Sequence, residues 1–93
     1  MKRVYAGNNL YEVEDTAEGG HKIKEFRADV EKKQWVLLRF YQGTQLLLEI
    51  GKPMILRDYD GRLWVNILRT GYPVRKIEEV PPPARPPGRS GAT

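Results

Sequence analysis

Apolar and polar residues alternate with a period of two through most of the first 80 positions, the pattern of half-buried β-strands. In one such run, apolar and charged side chains fall on opposite faces: Phe26, Ala28 and Val30 against Arg27, Asp29 and Glu31. A helix through Ile23, Phe26 and Val30 would fit some of the same positions, but the β-branched and aromatic content favours a strand. The pattern therefore predicts β-structure here.

Two apolar runs, residues 35–41 and 46–50, are separated by Gln42, Gly43 and Thr44. That spacing predicts a tight hairpin in which Gly43 supplies a positive φ. The period of two then places alternate apolar residues on the buried side of each arm: Val36, Leu38 and Phe40 on the first, and Leu46, Leu48 and Ile50 on the second.

A second hairpin is predicted at Asp60-Gly61, which lies between two alternating arms in residues 54–67. This dipeptide is favoured in type I′ turns, since both central residues of that turn need a positive φ. On the second arm, three apolar side chains would face the core: Leu63, Val65 and Ile67. The opposite face would carry Arg62, Trp64 and Asn66. Further strands are predicted near residues 2–6, 10–15 and 74–79.

These elements predict an all-β fold of about six to eight short strands, arranged as a small antiparallel barrel or roll of the SH3 or OB kind. Closure is expected because it removes exposed strand edges. Residues 1–80 are predicted to form a single domain. Residues 81–93 contain five of the seven prolines and no large apolar side chain, so we expect a flexible tail rich in Pro, Gly and Arg.

The charge balance is only weakly basic once it is divided between body and tail. Residues 1–80 hold 14 of the 16 Lys and Arg and all 12 Asp and Glu, so this body carries +2, and Arg85 and Arg89 supply the rest of the net +4. Charges of both signs are interspersed, as on an ordinary solvated surface, and the dense basic footprint of a strong duplex binder is missing. The charge alone does not identify a nucleic-acid-binding protein.

The inventory of reactive side chains argues against an enzyme. Cysteine is absent, which excludes a disulfide scaffold, a thiolate metal site and a cysteine nucleophile. The only serine, Ser90, lies in the tail, and the only histidine, His21, lies in a predicted turn. Asp58 and Asp60 resemble the start of a calcium loop, but Arg62 stands at the third ligand position and no glutamate closes the loop. We therefore expect no catalytic residue, metal site, cofactor or small-molecule substrate.

The candidate binding residues lie opposite the predicted apolar stripes. They are aromatic residues and arginines: Trp35, Arg39, Tyr41, Arg57, Tyr59, Arg62 and Trp64. On the outer side of a sheet this composition suits stacking on bases with phosphate pairing, and it equally suits a protein interface. Alternatively, the rings complete the core and the arginine stems cover their edges, because a slip of one residue would reverse the faces.

The sequence thus predicts a non-enzymatic binding module that acts through protein–protein interaction, as an accessory or regulatory subunit or as a homo-oligomer. A viral or mobile-element origin is compatible with these features. The alternative is a small nucleic-acid-binding barrel that uses the outward aromatic and arginine side chains. No run approaches the roughly 18 apolar residues of a membrane helix, and the N-terminus lacks the apolar region of a signal peptide. We therefore expect no membrane partner and an intracellular, cytoplasmic location.

Overall fold

The computed structural model describes residues 1–81, and within this range the chain forms eight β-strands. The strands are β1 (Lys2–Ala6), β2 (Asn9–Asp15), β3 (His21–Asp29), β4 (Gln34–Gly43), β5 (Gln45–Leu47), β6 (Ile55–Tyr59), β7 (Trp64–Arg69) and β8 (Val74–Glu79). The predicted tail falls almost entirely on residues 82–93, which lie outside the described residues.

The strands form two antiparallel sheets. The larger sheet has five strands in the order β4-β3-β2-β1-β8, and the smaller sheet has three in the order β5-β6-β7. The prediction of an all-β fold with short strands is confirmed. The prediction of a closed barrel is wrong, because the ladder is interrupted between the two sheets instead of continuing around the core.

Gly43 forms the corner at which the chain leaves the larger sheet and enters the smaller one. Its neighbour Thr44 donates its backbone N–H to the carbonyl of Arg57 in β6 at 3.0 Å. A Cβ on Gly43 would lie 2.7 Å from that same carbonyl oxygen and 2.9 Å from Leu56 Cγ. Only glycine fits this close approach. The predicted hairpin at residues 42–44 is therefore wrong: β4 pairs with β3, β5 pairs with β6, and Gly43 has no positive φ.

The opposite side of the two sheets is joined by short loops instead of strands. The N–H of Gly51 donates to the carbonyl of Val74 at 2.8 Å, and the N–H of Val74 donates to Lys52 at 2.9 Å. The buried Thr70 hydroxyl accepts the N–H of Met54 at 2.9 Å and donates to the carbonyl of Tyr72 at 2.8 Å. These bonds satisfy buried backbone groups that have no place in a ladder.

One apolar core fills the space between the sheets. Buried side chains from both sheets form it: Val4, Ala6, Tyr11, Val13, Ile23, Met54, Leu56, Leu68 and Val74. The pairing register places Val4, Tyr11 and Ile23 on the same side of the larger sheet, which we call its core face. The other side is the open face, and no strand of the described residues covers it.

Three β-bulges interrupt the ladders, each by one inserted residue: Leu38 in β4, Ile67 in β7 and Arg75 in β8. An inserted residue shifts the period-two alternation, so the residues before and after it exchange faces. Val36 and Phe40 consequently lie on opposite faces, and Phe40 is 67% exposed. In β7 the core position belongs to Leu68, whereas Ile67 is exposed. The predicted inward sets that contain Phe40 and Ile67 are therefore wrong.

The hairpin predicted at Asp60-Gly61 is confirmed, with a four-residue loop between the paired residues Tyr59 and Trp64. Only Gly61 has a positive φ, of 96°, so the predicted type I′ geometry is wrong. The Asp60 carboxylate accepts the backbone N–H groups of Arg62 at 2.8 Å and Leu63 at 3.0 Å. These bonds lower the pKa of Asp60 and show that its carboxylate holds the turn.

The close approach at Gly43 predicts that a single added methyl group lowers the stability of the fold. Gly43→Ala should destabilise the fold by about 1–3 kcal/mol, because the new Cβ meets the Arg57 carbonyl oxygen and the Leu56 side chain. Gly71→Ala is the matched control, since no atom lies within 4 Å of a Cβ at that position and its φ is not positive. Urea unfolding followed by tryptophan fluorescence measures both variants. Equal midpoints for the two would contradict the role assigned to Gly43.

Candidate functional site

The seven residues predicted to share one binding face lie in three separate places. Trp35 lies on the open face of the larger sheet, whereas Arg39 and Tyr41 lie on its core face. The bulge at Leu38 separates them, because it reverses the alternation within β4. The other four belong to the β6–β7 hairpin: Arg57, Tyr59, Arg62 and Trp64. The prediction of a single continuous surface is therefore wrong.

Three of these residues do form a cluster on the outer side of the β6–β7 hairpin. Tyr59 and Trp64 are cross-strand partners whose ring centroids lie 5.6 Å apart. The Arg57 guanidinium lies 5.5 Å from the Trp64 ring centroid, and its Nε is buried without a hydrogen-bond partner. Arg62 lies in the exposed loop and makes no side-chain contact to the cluster among the described hydrogen bonds and cation–π pairs. The cluster offers two half-exposed rings beside one cation.

Arg39 and Tyr41 instead line a cleft of about 480 Å³ on the core face of the β3–β4 hairpin, between that hairpin and the Tyr72 loop. The Glu25 carboxylate accepts the hydroxyl groups of Tyr41 at 2.8 Å and of Tyr11 at 3.0 Å, and the Asn9 amide at 3.0 Å. Three donors thus hold one carboxylate in place.

Burial controls the ionisation of this network. Burial raises the pKa of Tyr11 to about 12 and also raises the pKa of Tyr41, and the carboxylate of Glu25 adds to both shifts. Both phenols therefore remain neutral donors at physiological pH. The network orders the base of the β3–β4 hairpin, and we assign it a structural role.

The open face carries a second apolar cluster that the sequence pattern did not reveal. Cross-strand pairing aligns four side chains in one row across four strands: Tyr5, Leu10, Phe26 and Leu37. Leu10 is buried although it is not part of the main core. Trp35 extends the row, with its ring centroid 6.4 Å from that of Tyr5. The adjacent buried residues Leu10 and Tyr11 are the only local signal of two apolar faces in β2.

Cations flank the aromatic rings of the open face. The Arg75 guanidinium and the Lys76 ammonium lie 5.4 and 5.6 Å from the Tyr5 ring centroid, and Lys24 lies 6.0 Å from that of Phe40. The Tyr5 hydroxyl donates to Glu78 at 2.7 Å, which raises the pKa of Tyr5 and lowers that of Glu78. Glu78 also pairs with Lys76 at 3.4 Å, so part of this positive charge is already compensated.

The β3–β4 hairpin extends beyond the core as an arm, defined here as residues 26–38. Its core-face positions include Arg27 and Val36, cross-strand partners that are both exposed. Four consecutive apolar residues of β4 are each 40–43% exposed: Trp35, Val36, Leu37 and Leu38. Because they are consecutive, they place apolar groups on both faces of the arm. This run of four apolar residues without alternation is the signal in the sequence that could have indicated a two-sided apolar strand.

The other candidates for chemistry have local structural partners. Asp58 Oδ1 accepts the Thr44 hydroxyl at 3.0 Å, and His21 Nδ1 lies 2.9 Å from Asp15 Oδ1 across the β2–β3 pair. Within residues 1–81, no group of three or more His, Asp or Glu side chains is arranged to hold a metal ion. The same residues include no helix with the length and apolar character needed to cross a bilayer.

The Tyr11 phenol predicts a specific alkaline transition. Its neutral form is favoured in the folded protein, so this contribution to stability is complete below the ordinary pKa of 10.0 and is lost as the pH rises towards about 12. Tyr11→Phe should remove that dependence, and its free energy of unfolding should fall less steeply over this interval than that of the wild type. Urea unfolding at a series of pH values measures the difference. Parallel declines in the two proteins would contradict the assignment.

Comparison of the chain with family models, with curated proteins and with solved structures finds no match. The function must therefore be inferred from the arrangement of the side chains. Three surfaces are available for this: the outer cluster of Arg57, Tyr59 and Trp64, the open face, and the arm.

Proposed function

We propose that the chain is a non-enzymatic binding module that docks onto another protein through the arm of the β3–β4 hairpin. The observation that carries the proposal is the exposure of Trp35, Val36, Leu37 and Leu38 at the edge of the larger sheet. An accessory or regulatory subunit acting inside the cell fits this role. A small SH3- or OB-like roll is our proposal for the finer architecture.

The arm does not contribute its apolar residues to the core of the chain itself. The core cluster includes Ile23 near the start of β3, and Tyr41 near the end of β4 packs against it, but the cluster includes no residue of the arm. The exposed two-fifths of each of these four side chains forgoes about 25 cal/mol for each Å² that burial would remove from water. Contiguous exposed apolar surface of this kind marks interaction sites in soluble proteins. A protein partner that covers the arm would recover this free energy.

The arm also has the composition of an interface centre. Tryptophan is enriched among the residues that dominate binding energy, and the run from Trp35 to Leu38 contains no charge that would have to be desolvated. Charged residues surround this run. Asp29, Glu31, Lys32 and Lys33 lie at the tip, Arg39 lies just beyond the base, and Arg27 lies beside Val36 on the core face. Apolar centre and charged rim together favour a protein partner.

A charge placed within the apolar run tests this proposal. Leu37→Glu should remain folded, with some loss of stability because Leu37 packs in the open-face row beside Phe26, and it should lose roughly tenfold or more in partner affinity. Leu63→Glu is the matched control, since Leu63 is 56% exposed in the β6–β7 loop, away from the arm. Circular dichroism checks the fold, and capture by the immobilised proteins from an extract of the source cells compares their partners. Equal capture by all three proteins would contradict docking through the arm.

Binding of single-stranded nucleic acid to the open face is the second candidate function. The observation in its favour is the combination of exposed rings with cations, above all Phe40 with Lys24 and Tyr5 with Arg75 and Lys76. Open sheet faces with aromatic residues stack bases in other small domains. However, Arg3 is paired with Glu12 at 3.5 Å and Lys76 with Glu78, so among the described ion pairs only part of the positive charge on this face is left for phosphate. Protein docking is therefore the first proposal.

Salt dependence separates the two candidates. If the open face binds single strands, a labelled oligonucleotide should bind at about 50 mM salt and dissociate markedly at about 200 mM, because phosphate contacts release counterions. Phe40→Ala should weaken that binding, whereas Tyr59→Ala on the smaller sheet should not. Fluorescence anisotropy measures both effects. Absence of binding at the lower salt concentration would eliminate the nucleic-acid candidate and leave the protein-docking proposal unchanged.

A further inference from the structure

We propose that the partner of the arm is a second copy of this chain, paired edge to edge along β4 about a twofold axis at Val36. This inference rests on the proposed function, because it names the protein that docks on the same arm. The free edge, the two apolar faces and the self-complementary apolar run of β4 each support it.

The outer edge of β4 carries backbone N–H and C=O groups that have no partner strand among the described residues. β4 is the terminal strand of the larger sheet and pairs with β3 on one side only. Alternate N–H and C=O groups along its other side point away from β3, which makes them a template for a further strand. At the other end of the same sheet, β8 is bonded at Val74 to residues 51 and 52 and carries Arg75, Lys76, Glu78 and Glu79. Charges of this kind protect an edge, and residues 34–38 of β4 have none.

The two apolar faces of the arm select a strand over a flat surface. Trp35 and Leu37 project from the open face, and Val36 projects from the core face. A flat partner would cover only one of these faces. A strand added to the edge continues both faces at once and places its own side chains beside each exposed group.

The apolar run is complementary to itself, which favours an identical strand and fixes its register. An antiparallel pair centred on Val36 places Trp35 beside Leu37 of the second copy, and the twofold axis creates this aromatic–aliphatic pair twice. Both residues precede the bulge at Leu38, so they share the open face as cross-strand partners must. Lys33 would meet Arg39 of the second copy at each end, and these like charges confine the ladder to residues 34–38.

The ends of the segment are also limited by the backbone. Lys33 has a φ of 53°, which ends the extended conformation before Gln34. The bulge at Leu38 kinks the other end of the segment. The pairing surface therefore closes on itself in a dimer and does not continue into a fibre, since an isologous contact uses the edge of each copy once.

Disulfide trapping tests the twofold axis directly, because the chain contains no cysteine. In an antiparallel pair the two Val36 Cα atoms would be about 4.5–5.5 Å apart, within the range that a disulfide spans. We expect Val36→Cys to form a covalent dimer on mild oxidation roughly tenfold faster than Val30→Cys, whose position at the tip is 82% exposed. Denaturing gels without reductant measure the rates. Equal rates for the two variants would overturn the proposed axis.

Sedimentation of the cysteine-free wild-type chain, from about 5 to about 500 μM, separates this inference from the proposed function. A concentration-dependent dimer that Leu37→Glu abolishes and Leu63→Glu retains supports self-pairing. A monomer throughout overturns it. In that case, a captured partner that Leu37→Glu loses would still support docking through the arm, whereas unchanged capture by Leu37→Glu would overturn both.

Discussion

The architecture depends on three single-residue insertions in otherwise regular ladders. Leu38, Ile67 and Arg75 each oppose no residue of the neighbouring strand, so each bends its strand and exchanges the faces beyond it. At β8 the insertion lets Val74 and Ile77 both face inward although they are an odd number of residues apart. Together with the corner at Gly43, these bends fold two sheets around a core that a flat ladder of the same strands would leave open.

The polarity of β3 explains why the arm leaves the core. On the core face of β3, the apolar residue Ile23 is followed by Glu25 and then by Arg27. The three hydrogen bonds to Glu25 satisfy its carboxylate at the edge of the core, but the exposed Arg27 has no comparable set of partners among the described hydrogen bonds. Burying that guanidinium under the smaller sheet would cost more than the apolar contacts return. Beyond Glu25 the hairpin therefore extends into solvent, with Trp35, Val36 and Leu37 on it.

Local chemistry made part of this structure predictable. The turn at Asp60-Gly61 and the strands near residues 2–6, 10–15 and 74–79 follow from backbone preferences and from alternation within a few residues. The bulges do not, because an inserted residue such as Leu38 is as apolar as its neighbours and leaves no mark in composition. The corner at Gly43 was mistaken for a turn because a glycine can be required for either of two reasons. One is a positive φ, and the other, which applies at Gly43, is a close approach of another backbone.

In the candidate site, too, local groupings could be predicted from the sequence and non-local ones could not. Arg57, Tyr59 and Trp64 were grouped correctly because they lie within one hairpin and on one side of its bulge. Trp35 was grouped wrongly with Arg39 and Tyr41 because the bulge at Leu38 lies between them. Tyr5, Leu10 and Phe26 were missed, since their row crosses three strands and depends on a register that no single strand encodes. Prediction failed wherever the contact was non-local.

The contrast between the two edges of the larger sheet bears on what the arm is for. At β8, charged side chains and a loop that is hydrogen-bonded to Val74 prevent another strand from pairing with the edge. At β4 the ladder has only a bulge, and the outer edge of the five uncharged residues 34–38 has no partner strand among the described residues. If edge charges served solubility alone, the β4 edge should carry them as well. A lysine at position 36 would supply one without loss of core packing, since Val36 does not belong to the core. The unprotected edge is therefore the feature on which the proposed docking rests, and the bulge limits how far a second strand could pair with it.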